Sequence, residues 1–150
     1  MERRNFLSMT LGALALATVP ASVKAEDYRK TRPAVWAAHT VDDAIKAMYG
    51  SNDLVMEGVK LKAPKVASNG GAIPVDFSTN KDIESIVLFQ DANPEAAVIA
   101  ITTNKYSVNT YSVKIKMGKS GSITIVAKGK DGKLYAAKQA LDVALGGCEG

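Results

Sequence analysis

Ser112-Val113-Lys114-Ile115-Lys116-Met117 carries an apolar side chain at every second position and a polar one between. In an extended chain successive side chains point to opposite faces. The alternation therefore predicts a strand with one dry and one wet face. Whether Val113, Ile115 and Met117 turn toward a core or toward a partner is open at this level. Short apolar segments recur on both sides of this stretch: Ile73-Pro74-Val75-Asp76-Phe77, Ile83 to Phe89, Ala96 to Thr102, Tyr106 to Met117, Ser122 to Ala127 and Leu134 to Leu145. Pro64, Asn69-Gly70-Gly71, Asn93-Pro94, Gly118, Gly121 and Asp131-Gly132 punctuate them. Lys128-Gly129-Lys130-Asp131-Gly132-Lys133 joins two runs as a hairpin with Asp-Gly at its tip.

About seven short strands with regularly spaced turn signals predict an all-β chain, an antiparallel β-sandwich of immunoglobulin-like type. A small barrel is the alternative. The sandwich is expected over residues 59–145, after an N-terminal segment, 26–58, with one short helix. Thr40 is placed to cap that helix, and Asp42 and Asp43 fall in its first turn. Val41, Ala44, Ile45 and Met48 share one face, and Gly50 stops the helix. Glu26 to Trp36 is polar and shows no period.

The first 25 residues read differently. Arg3-Arg4 precede an apolar run from Phe6 to Val19, then Pro20 and small residues ending at Ala25. This is the pattern of a twin-arginine export signal, with cleavage expected after Ala25 and Ala21 as the second choice. The run is shorter than the about 20 residues a membrane span needs, so no stable membrane insertion is expected. Removing it leaves 16 basic against 14 acidic side chains, a net of +2. With no arginine-rich stripe interleaved with aromatics, nucleic acid is not an expected partner. The expected location is the periplasm, which permits disulfides.

The residue inventory excludes most catalytic arrangements. His39 is the single histidine, and Cys148 the single cysteine. His39 sits beside the helix cap with no cysteine or carboxylate at ligand spacing, and reads as a helix-flanking surface residue. One Cys and one His fall short of a zinc site, and no metal or other cofactor is expected. Asn69-Gly70-Gly71 precedes a strand rather than a helix and reads as a turn, not a phosphate loop. Trp36 and the five tyrosines form no stacking pattern.

Cys148 stands apart. It follows Gly146-Gly147 and precedes Glu149-Gly150. The two glycines have the widest backbone freedom of any residue, so 146–150 is expected to be a flexible arm. From Leu145 to Cys148 it spans roughly 10 Å at about 3.3 to 3.6 Å per residue. A thiol titrates ordinarily near 8.5, and the neighbouring anions Glu149 and the terminal carboxylate oppose thiolate formation. The sequence supplies no base for self-activation, so the thiol reads as a handle on which other proteins act. A lone cysteine of an exported chain also suits an intermolecular disulfide. That leaves a non-catalytic carrier and a β-sandwich binding protein crosslinked through Cys148 as the two readings, with an independent thiol enzyme disfavoured.

From Val59 to Gly150 the chain resembles the SoxY family, the sulfur-carrier subunits of a thiosulfate-oxidising system. The resemblance rests on the twin-arginine leader, on Leu61 to Gly70 followed by Ile73-Pro74-Val75, on Asn93-Pro94, and on the closing Gly146-Gly147-Cys148-Glu149-Gly150. It implies an immunoglobulin-like sandwich, Cys148 as the attachment point for sulfur intermediates, and Gly146, Gly147, Glu149 and Gly150 as the carrier arm. It also implies partners: a SoxZ-like small β protein as heterodimer mate, a c-type cytochrome loading complex, a sulfate-releasing hydrolase and, where present, a sulfane dehydrogenase. Glu149 departs from the family pattern, which has glycine there. Its carboxylate adds bulk and repels anionic cargo.

Overall fold

A computed structural model describes residues 26–144. The leader expected over 1–25 and the arm expected over 146–150, Cys148 included, lie outside them.

The described chain forms three short helices and nine strands. The helices come first: α1 (Tyr28–Thr31), α2 (Pro33–Ala37) and α3 (Val41–Tyr49). The strands are β1 (Leu54–Val55), β2 (Val59–Lys62), β3 (Val66–Ala67), β4 (Ile73–Thr79), β5 (Ile83–Gln90), β6 (Ala97–Thr102), β7 (Thr110–Ile115), β8 (Gly121–Gly129) and β9 (Leu134–Val143). One sheet runs β1-β9-β8-β5-β6, with β3 also pairing β9. The other runs β2-β4-β7. This is the immunoglobulin-like sandwich expected from the segment pattern. The strand count exceeds seven because β1 and β3 are two residues long, too short to show a period. Both pair with β9 in parallel, at its two ends, while the longer pairings are antiparallel.

The alternating stretch is β7 and the residues just after it. Ile115 and Met117 are buried, and Val113 packs half-buried against the same cluster. Lys114 and Lys116 are exposed. The open question about this stretch is thereby answered: its apolar side faces the core. Ile73, Val75 and Phe77 of β4 join it from one side, and Ile86, Leu88, Ile123 and Ile125 from the other sheet.

The six-stranded sheet has a second buried face. Val87, Phe89, Val126, Leu134 and Ala136 meet Tyr28, Val35, Ala44, Ile45 and Met48 of the helices. Helix α3 begins and ends as read: the Asp43 N–H donates to Thr40 Oγ1 at 3.1 Å, and Gly50 adopts φ 78°. The stretch from Glu26 to Trp36, read as lacking a period, instead forms α1 and α2. Helices of four and five residues are too short to reveal a period, and Tyr28 and Val35 are held by burial against the sheet. Pro33 opens α2, where its missing N–H removes no helical bond.

The hairpin from Lys128 to Lys133 also forms. The Gly129 N–H donates to Lys133 O at 2.9 Å, and Gly132 takes φ 86°, the left-handed conformation a tight turn requires.

Candidate functional site

The described chain leaves the sandwich at the C-terminal end of β9, and the residues there hold the root of the expected arm. Three backbone donors in succession are fixed by different partners. The Asp142 N–H donates to Lys65 O at 2.9 Å, the Val143 N–H to Ser120 Oγ at 2.9 Å, and the Ala144 N–H to Ala67 O at 2.9 Å. The loop carrying Lys65 to Ala67 grips one side of β9, and the β7–β8 loop reaches it with Ser120. Ala144, the last of the three, stands four residues before the thiol-bearing position.

The loops of this end are pinned by side chains that substitute for missing strand partners. Gln90, fully buried at the end of β5, donates from Nε2 to Glu95 O at 2.7 Å. Its Oε1 accepts the N–H groups of Ala92 and Asn93, each at 2.7 Å. Asn93 then bridges to the β7–β8 loop, donating to Lys116 O at 2.7 Å and accepting from the Gly118 N–H at 3.0 Å. Asp91 Oδ1 accepts the Ser122 N–H at 2.6 Å, in space that Gly121 leaves free for lack of a side chain. The Met117 N–H donates to Gly70 O at 2.9 Å, while Asn69 Oδ1 accepts the Gly71 N–H, so Asn69-Gly70-Gly71 is the turn it was read to be. A buried polar side chain must satisfy its hydrogen bonds locally, and Gln90 does so by ordering a whole loop.

His39 is exposed, with Nδ1 2.9 Å from Pro94 O, so it ties the helix entry to this same loop. No group of three or more His, Cys, Asp or Glu side chains is placed to hold a metal among the described residues. No helix among them is long and apolar enough to cross a membrane. Trp36 lies half-buried under the Arg29 guanidinium, 4.4 Å from the ring centroid, as a rim residue. Cys148, Gly146, Gly147, Glu149 and Gly150 lie outside the described residues, and the structure places none of them. Asn93-Pro94 was visible in the sequence as a turn. Gln90 was not, since a single glutamine ending an apolar run carries no signal of its own.

A family model described as "Sulfur oxidation protein SoxY" matches residues 45–148. The chain belongs to the SoxY family. The matched length of this SoxY chain ends on Cys148, while Glu149 and Gly150 follow it. The sulfur carrier protein SoxY from Chlorobium limicola f thiosulfatophilum is similar in structure, with a TM-score of 0.63 and 29% identity over 70% of this chain and 96% of that one. A superoxide reductase (neelaredoxin) from Ignicoccus hospitalis, variant T24K, superposes with a TM-score of 0.53 at 16% identity, covering 59% of this chain and 81% of its own. A putative superoxide reductase from Thermotoga maritima gives 0.51 at 15% identity, covering 65% and 90%. At such identities these two share the fold alone with the SoxY chain. No curated protein matches it by sequence. Membership of the family supports a carrier role in sulfur oxidation.

Proposed function

We propose that this SoxY chain is a covalent carrier whose cargo is bound to Cys148 and presented to partner enzymes, and that it is not itself a catalyst. The single observation that carries the proposal is the family match running to Cys148. The three consecutive bonds at Asp142, Val143 and Ala144 support it, because they anchor the chain to the sandwich four residues before Cys148. A folded body carrying a thiol that follows two glycines suits entry into a narrow cleft.

In the proposed loading step the Cys148 thiolate bonds to the sulfane sulfur of thiosulfate, forming Cys–S–S–SO3⁻. The two electrons released pass to a c-type cytochrome. A hydrolase then adds water to the sulfonate sulfur. Sulfate leaves with two protons and a persulfide remains on Cys148. Where present, a sulfane dehydrogenase acts on that persulfide. A SoxZ-like small β protein is the proposed heterodimer mate. Export by the twin-arginine pathway to the periplasm is part of the proposal, from Arg3-Arg4 and the apolar run after them.

Intact-mass spectrometry of protein taken from cells oxidising thiosulfate tests it. The expected result is a set of sulfur or thiosulfonate adducts on Cys148 that reductant removes, with thiosulfate-dependent growth lost in Cys148→Ser. Unchanged growth of that variant, or a disulfide dimer as the sole Cys148 product, overturns the carrier reading in favour of crosslinking.

A further inference from the structure

The charge of this chain is not spread evenly. The two segments that grip the root of the arm, residues 59–67 and 110–120, hold six lysines and no carboxylate. They are Lys60, Lys62, Lys65, Lys114, Lys116 and Lys119, and all six are exposed. That leaves 10 basic against 14 acidic side chains in the rest of the chain after residue 25, so one flank is basic and the remainder acidic. None of the six pairs with a carboxylate among the described residues. Paired surface lysines are ordinarily spent on their neighbours, whereas these are available to a partner.

Their placement follows from the fold. Lys65 belongs to the residue whose carbonyl accepts the Asp142 N–H, and Lys119 directly precedes Ser120, which accepts the Val143 N–H. Lys62 and Lys65 line one side of an open groove whose other side is Gln139 to Asp142 of β9. Lys114 and Lys116 continue the collar along the wet side of β7. Between the lysines of β2 and those of β7 the face is low: Pro74 opposes Lys114, and Asp76 stands between Lys62 and Ser112. No bulky side chain there would hold a flat surface away. Across the root the sign changes, since Asp142 and the β5–β6 loop with Asp91 and Glu95 are acidic and exposed.

We propose that this lysine collar docks a carboxylate-rich rim at the mouth of the enzyme cleft that receives the arm. The proposal rests on the carrier reading above and names the chemistry by which the folded body is recognised. Cys148 can stand at most about 14 Å from Ala144, at about 3.3 to 3.6 Å per residue. An enzyme that takes the thiol must therefore bring its mouth against the root, where the lysines are. The end of the chain is anionic through Glu149 and the terminal carboxylate, and the collar behind it is cationic. The two call for cations inside the cleft and anions at its rim. That pattern orients the approach, because a body turned to its acidic flank meets like charge. Charges at a rim act chiefly on the rate of encounter and on its salt dependence.

The test measures loading of the protein, as its host produces it, by the c-type cytochrome complex of the same host. For the parent, kcat/KM is expected to fall as salt rises. Lys65→Glu, Lys116→Glu and Lys119→Glu together are expected to lower kcat/KM about ten-fold or more at low salt, with kcat at saturation unchanged. Lys46→Glu with Lys105→Glu, away from the root, is expected to leave it at the parent value. Alkylation of Cys148 by neutral iodoacetamide at the parent rate shows that the arm itself is intact. Salt-independent loading of the parent overturns the inference and leaves the carrier reading standing, as does an equal loss in the two sets of variants. No loading of the parent overturns both. Loss of the SoxZ-like mate from the triple variant assigns the face to the mate and overturns the inference. So does binding to phosphatidylglycerol vesicles that the triple variant loses while its loading stays unchanged. Should the triple variant fail to fold, Lys→Gln at the same positions and the salt dependence of the parent decide.

Discussion

β7 and β5 belong to the same sandwich yet bury themselves in opposite ways. β7 has one face on the core and one in water, so Tyr111 and Ile115 alternate with exposed Ser112 and Lys114. β5 is buried from Ser85 to Gln90 without a break: Ile86 and Leu88 face the second sheet, and Val87 and Phe89 face the helices. A strand reads as alternating only while one side of its sheet stays wet. The helical layer turns an ordinary antiparallel strand into a continuous apolar run. The difference teaches where stability and binding can reside. The wet face of the small sheet is free to vary, while β5 of the large sheet is committed on both faces.

The sharpest way to break the comparison is to truncate the doubly buried strand. Phe89→Ala is expected to cost about 3–5 kcal/mol in denaturant unfolding, and Asp76→Ala on the wet face of β4 within about 0.5 kcal/mol. Equal costs would remove the distinction between the sheets.

The end of β5 comes next. Gln90→Ala orphans the Glu95 carbonyl and the Ala92 and Asn93 donors, and is expected to cost about 1–3 kcal/mol. Hydrogen exchange in residues 91–95 is expected to accelerate more than in the strands. Uniform acceleration would show that Gln90 does not act on its loop in particular.

The smallest effect is at the β8–β9 hairpin and reads as a pH profile. The Tyr135 hydroxyl, 2.6 Å from Asp131 Oδ2, and then the Lys133 N–H hold the Asp131 carboxyl below its usual range. A depressed carboxyl stabilises the fold above its unfolded value, near 4, and that stabilisation is lost as pH falls through the folded value. Asp131→Asn is therefore expected to melt lower than the parent at neutral pH, with the gap closing in acid. On the alkaline side, the bond to Asp131 raises the Tyr135 phenol, and burial raises that of Tyr49. Both contributions are complete below pH about 10 and fade as pH climbs above it. A melting temperature difference independent of pH would sink this account.

Much of this was legible because it depends on local chemistry. Thr40 and Gly50 mark a helix by what their own backbones and side chains do, and Asp131-Gly132 marks a hairpin in the same way. The alternation in β7 states that one face is dry. The root of the arm was not legible. Gln90, Asn93 and Ser120 act on backbone groups of other strands and loops, and no spacing along the chain records which loop will be adjacent. Helices α1 and α2 were missed for a related reason, since Tyr28 and Val35 have no periodic partners and are fixed only by the sheet they cover.

By itself the sequence determined the strands with one wet face, the capped helix, the tight turns and the placement of the single thiol between Gly147 and Glu149, all matters of short-range sterics and side-chain type. Only the tertiary structure decided that Val113, Ile115 and Met117 face inward, that β5 is covered on both sides, and that Asp142, Val143 and Ala144 are each held by a bond to a different partner. Those depend on which segments meet across the fold, and such meetings are selected by the burial of surface summed over the whole domain.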